Sequence, residues 1–112
     1  MKDCIFCKIV DKELPSRIIY EDNKFIAFKD VNPKAPVHLL IIPKKHIPSV
    51  NHIKSRDVGL IGEIILIAQK IAKKEGVSKS GYRLIFNIGK NAGQTVDHLH
   101  LHLLGGKKLP WA

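Results

Sequence analysis

The chain has 112 residues, of which 45% are hydrophobic and 26% charged, a balance typical of one globular domain that spans residues 1–112. Lysine and arginine outnumber aspartate and glutamate by 19 to 10, and the net charge of +9 favours anionic partners, although the lysines lack the interleaved aromatic residues typical of nucleic-acid platforms. The longest apolar stretch, residues 64–68, is too short for a bilayer, and no signal-peptide pattern opens the chain, so we expect no membrane partner and a cytoplasmic location.

The first half of the chain predicts one short helix and three strands. In order, its patterns predict a helix over residues 5–10, strands over 17–21 and 24–29, a loop over 30–36 and a strand over 37–42. The helix is expected to end before Pro15, because proline does not continue a helix. Asp22 and Asn23, between the first two strands, are typical of a tight hairpin.

The second half predicts one long helix and two strands. In order, its patterns predict a helix over residues 56–75, a strand over 82–88, a glycine-bearing loop over 89–93 and a strand over 96–104. Ser55 is the expected N-cap of the long helix, and Gly76 suits the left-handed position that follows its end. One apolar stripe of this helix is expected to pack against a sheet, and it consists of Ile61, Ile64, Ile65, Ala68, Ile71 and Ala72.

The order of these elements predicts an α+β fold. Strands both precede and follow the long helix, which suits an antiparallel sheet with that helix on one face. We therefore expect a five-stranded antiparallel sheet with one long and one short helix.

The segment His98-Leu99-His100-Leu101-His102 holds half of the six histidines. Strand side chains alternate with period two, so the three imidazoles are expected on one face and the two leucines on the other. Imidazole titrates near neutral pH and serves as a nucleophile, an acid, a base or a metal ligand. Threonine, lysine or glutamate would suit a solvated strand face equally well, so the row of histidines predicts a functional site.

Cys4 and Cys7 are the only cysteines, and they lie three positions apart. A reducing cytosol argues against a structural disulfide and for a metal or redox pair. A tetrahedral zinc centre needs two further ligands, for which His46 and His98 are candidates. A thioredoxin-like redox pair lacks its βαβ context here, and two free buried thiols are the remaining alternative.

The chain resembles the histidine triad superfamily, and within it the Hint-type histidine triad nucleotide-binding proteins. The resemblance extends from Cys4 to Trp111. Six segments in one order carry it: CIFCKI at 4–9, FKDVNP at 28–33, IPKKH at 42–46, FNIG at 86–89, GQTV at 93–96 and HLHLHLLGG at 98–106.

The resemblance implies a homodimer whose two sheets join edge to edge. It also implies hydrolysis of conjugates in which a purine nucleoside monophosphate, AMP or GMP, is linked at its α-phosphate to an amine or a similar group. A dinucleoside polyphosphate hydrolase, a purine-nucleotide-binding regulatory protein with vestigial catalysis and a zinc-binding interaction protein are the alternatives. By the same resemblance, Trp111 is expected near the partner subunit's site.

The resemblance assigns the chemistry to five residues. His100 matches the nucleophile that forms a covalent nucleotidyl-histidine intermediate, and His102 matches a residue that contacts the phosphate. Thr95 stands where the family often has a serine near the leaving group, and its hydroxyl is still a donor. Asn87 and Gln94 supply amides for phosphate or leaving-group oxygens.

The same resemblance also assigns the residues that bind the nucleoside. Asp30 matches the carboxylate that accepts hydrogen bonds from the ribose hydroxyls. The residues that match the apolar pocket for the base are Ile5, Phe6, Ile9, Phe28 and Val31. His38 and His52 match no such role, so we expect His38 to be a plain strand residue and His52 to be a surface residue.

Zinc-containing bacterial members of the family combine the residues that match Cys4, Cys7, His46 and His98, so a structural zinc ion is the implied cofactor. Three histidines at alternate positions of a strand extend over about 13 Å, too far to converge on one metal ion. His98 can therefore bind zinc while the other two histidines of the triad stay with the phosphate.

Overall fold

The computed structural model describes residues 3–111. Its helices are α1 (Ile5–Val10) and α2 (Val58–Lys74), and its strands are β1 (Ile18–Glu21), β2 (Phe25–Lys29), β3 (Val37–Pro43), β4 (Tyr82–Phe86) and β5 (Leu101–Gly105). The strands form one antiparallel sheet in the order β1-β2-β3-β5-β4. The predicted α+β fold, with a five-stranded sheet, a long helix and a short helix, is confirmed. Neither helix in this part of the chain is long and apolar enough to cross a membrane.

The β1–β2 hairpin is closed by Asp22. Its Oδ1 accepts hydrogen bonds from the backbone N–H groups of Lys24 and Phe25, both at 2.8 Å. The Tyr20 hydroxyl donates to Oδ2 of the same carboxylate at 2.6 Å. An aspartate that binds the backbone two residues on is the expected turn device, so the predicted hairpin is confirmed.

Both faces of the sheet are covered, each by one helix. Alternate residues of β2 and β3 point to opposite faces, as the period of a strand requires. One cluster packs under α2 and includes Phe25, Ala27, Leu39, Ile41, Leu101 and Leu103. The other lies between α1 and the sheet, and it consists of Phe6, Ile9, Ile26, Phe28, Leu40 and Ile42.

Helix α2 begins two residues later than predicted and has a different N-cap. Ser55 opens a 3₁₀ turn over Ser55–Asp57, and Asp57 is the N-cap of the α-helix, so the prediction of Ser55 was wrong. The buried Asp57 carboxylate accepts from the Lys54 N–H at 2.9 Å and pairs with Lys45 Nζ at 2.8 Å. Those contacts stabilise the tight turn ahead of the helix. Gly76 has φ +78°, as predicted for the position after its end.

The apolar stripe of α2 differs from the prediction at one position. Ile65 is 41% exposed, so its assignment to the stripe was wrong, whereas Ile67 is buried at 6%. Ile67 lies three residues after Ile64 and four before Ile71, which is the spacing of one helix face. In a helix with isoleucine or leucine at four successive positions, 64–67, composition alone does not select the inner face.

Strand β5 is shorter than predicted, because it begins at Leu101 rather than at residue 96. Residues 96–100 approach the sheet without ladder pairing, and the Leu99 N–H instead donates to the carbonyl of Ile47 at 2.7 Å. The alternation nevertheless holds, since Leu101 packs in the cluster under α2 whereas His98 and His100 pack against Phe6 of α1. Strand β4 ends at Phe86, two residues before its predicted end.

Candidate active site

The His100 ring is held by a backbone carbonyl two residues earlier. Its Nδ1 donates to the carbonyl oxygen of His98 at 2.7 Å, and the ring is 6% exposed. Because a carbonyl only accepts, Nδ1 carries the proton of the neutral ring, a tautomer assigned here from its partner. The lone pair of neutral His100 therefore lies on Nε2. Phe6 packs edge-on against the ring at a centroid separation of 5.2 Å and limits its rotation.

His102 is oriented by His38, which was predicted to be a plain strand residue; that prediction was wrong. The Lys34 N–H donates to His38 Nδ1 at 3.0 Å, so His38 carries its proton on Nε2. Nε2 lies 3.0 Å from His102 Nδ1 and 3.3 Å from an oxygen of Asp30. His102 Nδ1 thus accepts, and its remaining proton lies on Nε2.

The position of His38 had only a weak signal in the sequence. Leu40 of β3 is paired with His102 of β5, and His38 lies two residues before Leu40 on the same face. Its ring reaches His102 along the diagonal of the ladder. Without the β3–β5 register, nothing distinguishes His38 from other polar strand residues. His52 is exposed, as predicted.

Burial favours the neutral forms of His38, His98 and His102. It lowers the pKa of His102 to about 4, with smaller contributions from His100 and His38. Burial also lowers the pKa values of His38 and His98. The neutral forms suit the hydrogen bond from His38 to His102, in which one ring donates and the other accepts.

The four predicted zinc ligands come together at the Nδ1 side of the His98 ring. The ligand atoms of Cys4, Cys7, His46 and His98 all lie within 4.8 Å of one another. Cys4 Sγ and His98 Nδ1 are 3.3 Å apart, and Cys7 Sγ lies 3.3 Å from His46 Nδ1 and 3.6 Å from His98 Nδ1. At usual zinc–sulfur and zinc–nitrogen bond lengths, tetrahedral ligands are separated by about 3.6 Å. Two thiolates and two imidazoles at these distances fit a tetrahedral ion.

The orientation of His98 supports the same arrangement. Its Nε2 donates to the carbonyl of Pro43 at 2.8 Å, which leaves the lone pair on Nδ1, the atom that faces the sulfurs. Without a cation, burial and the neighbouring Cys4 raise the pKa of the Cys7 thiol to about 11. A bound cation would offset the cost of ionising the thiol, because the thiolate is the form that binds a metal ion.

A second group of possible ligand atoms belongs to Asp30, His38 and His102. Its short distances are those of the hydrogen bonds already described, with Asp30 Oδ1 also accepting from the Asn32 N–H at 2.9 Å. Hydrogen bonding satisfies these atoms without a metal ion.

The residues predicted to form the base pocket line a cavity of about 380 Å³ beside the histidines. Its lining includes nine predicted nucleotide-site residues, namely Ile5, Phe6, Ile9, Phe28, Asp30, Val31, Thr95, His100 and His102. A larger cavity of about 600 Å³ opens near Arg17 and Glu75 but holds neither His100 nor His102. We therefore place the candidate active site in the smaller cavity, where a nucleophile and an apolar wall meet.

Two predicted residues lie outside that cavity. Asn87 lines an adjoining cavity of about 430 Å³ together with Thr95 and His102, and its Nδ2 donates to the carbonyl of Ala92 at 2.9 Å. The Gln94 side chain is bonded to the loop backbone, since Nε2 donates to the carbonyl of Pro48 at 2.8 Å and Oε1 accepts from the N–H of Gly89 at 2.9 Å. Trp111 is 94% exposed.

Comparisons with known proteins agree with this geometry. A family profile described as "Scavenger mRNA decapping enzyme C-term binding" matches residues 3–110. A purine nucleoside phosphoramidase of Escherichia coli K12 is 46% identical over 108 residues, which is 96% of this chain and 91% of that protein. The chain belongs to the histidine triad superfamily.

Two solved structures of this superfamily share nearly the whole fold. A histidine triad protein from Clostridium difficile has a TM-score of 0.97 and 46% identity, covering 100% of this chain and 97% of that one. A HIT family hydrolase from Legionella pneumophila Philadelphia 1 has a TM-score of 0.95 and 49% identity, covering 97% of each chain. These relatives support a hydrolase.

The lowered pKa of His102 predicts a pH-dependent stability. Native His102 stays neutral down to about pH 4, whereas an unfolded imidazole binds a proton near pH 6.5, so the unfolded state takes up one more proton between those values. The free energy of unfolding should therefore fall as the pH drops from 6.5 to 4, and His102 contributes up to about 1.4 kcal/mol per pH unit. Urea denaturation at several pH values should show a shallower fall in His102→Asn. Equal slopes for both proteins would contradict the lowered pKa of His102.

Proposed function

We propose that this protein hydrolyses purine nucleoside 5′-phosphoramidates and related nucleotidyl conjugates at the α-phosphate. The observation that carries the proposal is the orientation of the His100 ring, whose Nδ1 donates to a carbonyl and so leaves Nε2 for chemistry, in the wall of a cavity with an apolar lining. A neutral nitrogen held in one orientation is the nucleophile that attack on phosphorus requires.

In the first step, Nε2 of His100 attacks the α-phosphorus and the bond from phosphorus to the amine breaks. The product is a nucleotidyl-imidazole with a positive charge, which the carbonyl of His98 stabilises through the Nδ1 proton. The leaving amine takes up a proton from water. The exposed hydroxyl of Thr95 donates a hydrogen bond to the amine as it leaves. In the second step, water attacks phosphorus, releasing the nucleoside monophosphate, a proton and the neutral ring.

His102 stabilises the phosphate during both steps. Its Nε2 proton donates to a non-bridging oxygen, because its Nδ1 is occupied by His38. The hydrogen bond from His38 holds this donor ready without a rearrangement. Asn87, at the edge of the adjoining cavity, is the second donor for these oxygens.

The nucleoside occupies the rest of the cavity. Asp30, half-buried beside the histidines, accepts from the two ribose hydroxyls. The base packs against the apolar wall that Phe6 and Ile9 of α1 and Phe28 of β2 form together.

Turnover of adenosine 5′-phosphoramidate tests the catalytic role of His100. His100→Ala should lower kcat/KM about 1,000-fold or more, because it removes the nucleophile. His52→Ala, on the exposed 3₁₀ turn over Val50–His52, is the matched control and should keep native activity. The readout is release of ammonia and AMP.

Two further results separate the alternatives. Rapid quenching into alkali followed by intact-mass measurement should detect an AMP adduct on native protein and none on His100→Ala. If native protein binds AMP but releases no ammonia, the nucleotide-binding regulatory function replaces the hydrolase. Faster cleavage of a dinucleoside polyphosphate than of the phosphoramidate would favour a polyphosphate hydrolase.

We propose that Cys4, Cys7, His46 and His98 hold one structural zinc ion. The ion would connect the start of α1 with β3 and the histidine segment, three regions far apart in the sequence. The ligand set includes His98 but neither His100 nor His102, so the role of the ion would be to stabilise the walls of the site.

Metal analysis tests this centre. Protein purified without added metal should contain about one zinc ion per chain, and Cys4→Ser/Cys7→Ser should contain none and melt at a lower temperature. His52→Ala controls for non-specific zinc binding by imidazole. Full zinc content in the double variant would exclude this ligand set.

We propose that two copies of the chain associate through the β4 edge of the sheet. Strand β4 is paired on one side only, by β5. Exposed apolar residues of α2 add a second surface, with Val58 at 64%, Ile65 at 41% and Leu66 at 57% exposed. The continuous sheet of such a homodimer would bury both features.

Light scattering on purified protein tests the dimer. Leu66→Lys should give a folded monomer, because it places a charge in the proposed interface. Glu13→Lys, at an exposed position after α1 on the other face of the sheet, should stay dimeric. A native protein that is monomeric at micromolar concentrations would overturn the proposal.

A further inference from the structure

One buried hydroxyl in this fold has no hydrogen-bond partner. Ser16 Oγ is the sole side-chain oxygen or nitrogen atom in residues 3–111 that is buried without one. Buried polar groups are nearly always paired, because an unpaired one loses its bonds to water without compensation. The unpaired state of the buried Ser16 hydroxyl therefore needs a physical explanation.

Ser16 lines the cavity that we assign to the nucleotide. The floor of this cavity follows one row across the sheet, in which Ile18 pairs with Phe28, Phe28 with Leu40, and Leu40 with His102. Ser16 lies two residues before Ile18, at the β1 end of that row. Three strand spacings separate β1 from β5, a distance of about 14 Å.

This distance places Ser16 at the far end of a bound nucleotide. With the phosphate at His102 and the ribose at Asp30, an extended nucleoside monophosphate directs its base towards β1. The part of a purine farthest from the ribose is the edge of its six-membered ring, which carries the substituent at position 6. The surrounding walls at that end are apolar, with Leu14, Ile9 and Phe28 among them.

We propose that the Ser16 hydroxyl hydrogen-bonds to the 6-substituent of the purine and selects for purines that carry one. This inference rests on the proposed function. Rotation about the Cα–Cβ bond to another staggered position turns Oγ from the wall into the cavity. A hydroxyl both donates and accepts, so it serves a 6-amino group and a 6-oxo group alike.

Three phosphoramidates test the proposal, made from adenosine, guanosine and purine riboside, the last with hydrogen at position 6. Ser16→Ala should lower kcat/KM about 3- to 10-fold for the first two, through KM, because one hydrogen bond is lost. It should leave kcat/KM for purine riboside unchanged. Free Ser16→Ala should melt no lower than native protein, since no bond within the fold is removed.

Ser49→Ala is the matched control. Ser49 is also buried, but its Oγ accepts from the N–H of Asn51 at 3.1 Å and lies 3.0 Å from His52 Nδ1. This variant should melt at a lower temperature and keep the native ratios between the three substrates.

The outcomes separate this inference from the function on which it rests. If native protein cleaves all three substrates and Ser16→Ala keeps their ratios, the role of Ser16 is overturned and the hydrolase stands. An equal loss on all three substrates, or a lower melting temperature of free Ser16→Ala, would make Ser16 a structural residue. If native protein cleaves none of them, both proposals fall.

Discussion

The pairing of β3 with β5 is the constraint on which the site depends. It joins residues 37–41 to residues 101–105, which lie 60 or more positions later in the chain, and sets Leu40 opposite His102. In that register His38 meets His102, and the carbonyl of Pro43 at the end of β3 meets His98. A shift by one residue would turn the imidazoles to the α2 face and remove both contacts.

The three histidines of the triad share one physical arrangement, in which one ring nitrogen is bonded within the protein and the other is left for chemistry. His98 uses Nε2 on a carbonyl and presents Nδ1 to the cysteines. His100 uses Nδ1 on a carbonyl, and His102 uses Nδ1 on His38, so that both present Nε2. Alternate residues of one short segment can thereby serve a metal centre and a phosphate without competing. Burial supports this arrangement by lowering the pKa values of His98 and His102.

Local signals in the sequence were sufficient for most elements and insufficient where tertiary packing chose between equivalent residues. The hairpin at Asp22 and the end of α2 at Gly76 follow from side-chain and backbone preferences that act within a few residues. Ile65 and Ile67 are chemically identical, and only the position of α2 over the sheet decides which is buried. Strand β5 starts late because the Leu99 N–H bonds to Ile47, a contact across half the chain that no local pattern encodes.

Residue types and their spacing were enough to predict the α+β class, the superfamily and the cluster of Cys4, Cys7, His46 and His98. They also predicted most of the lining of the candidate cavity. Three-dimensional contacts were needed to show which nitrogen of each imidazole is free, that His38 orients His102, and that the Ser16 hydroxyl is left unpaired. Those properties depend on the partner that each polar atom meets, and the partners come from distant parts of the chain.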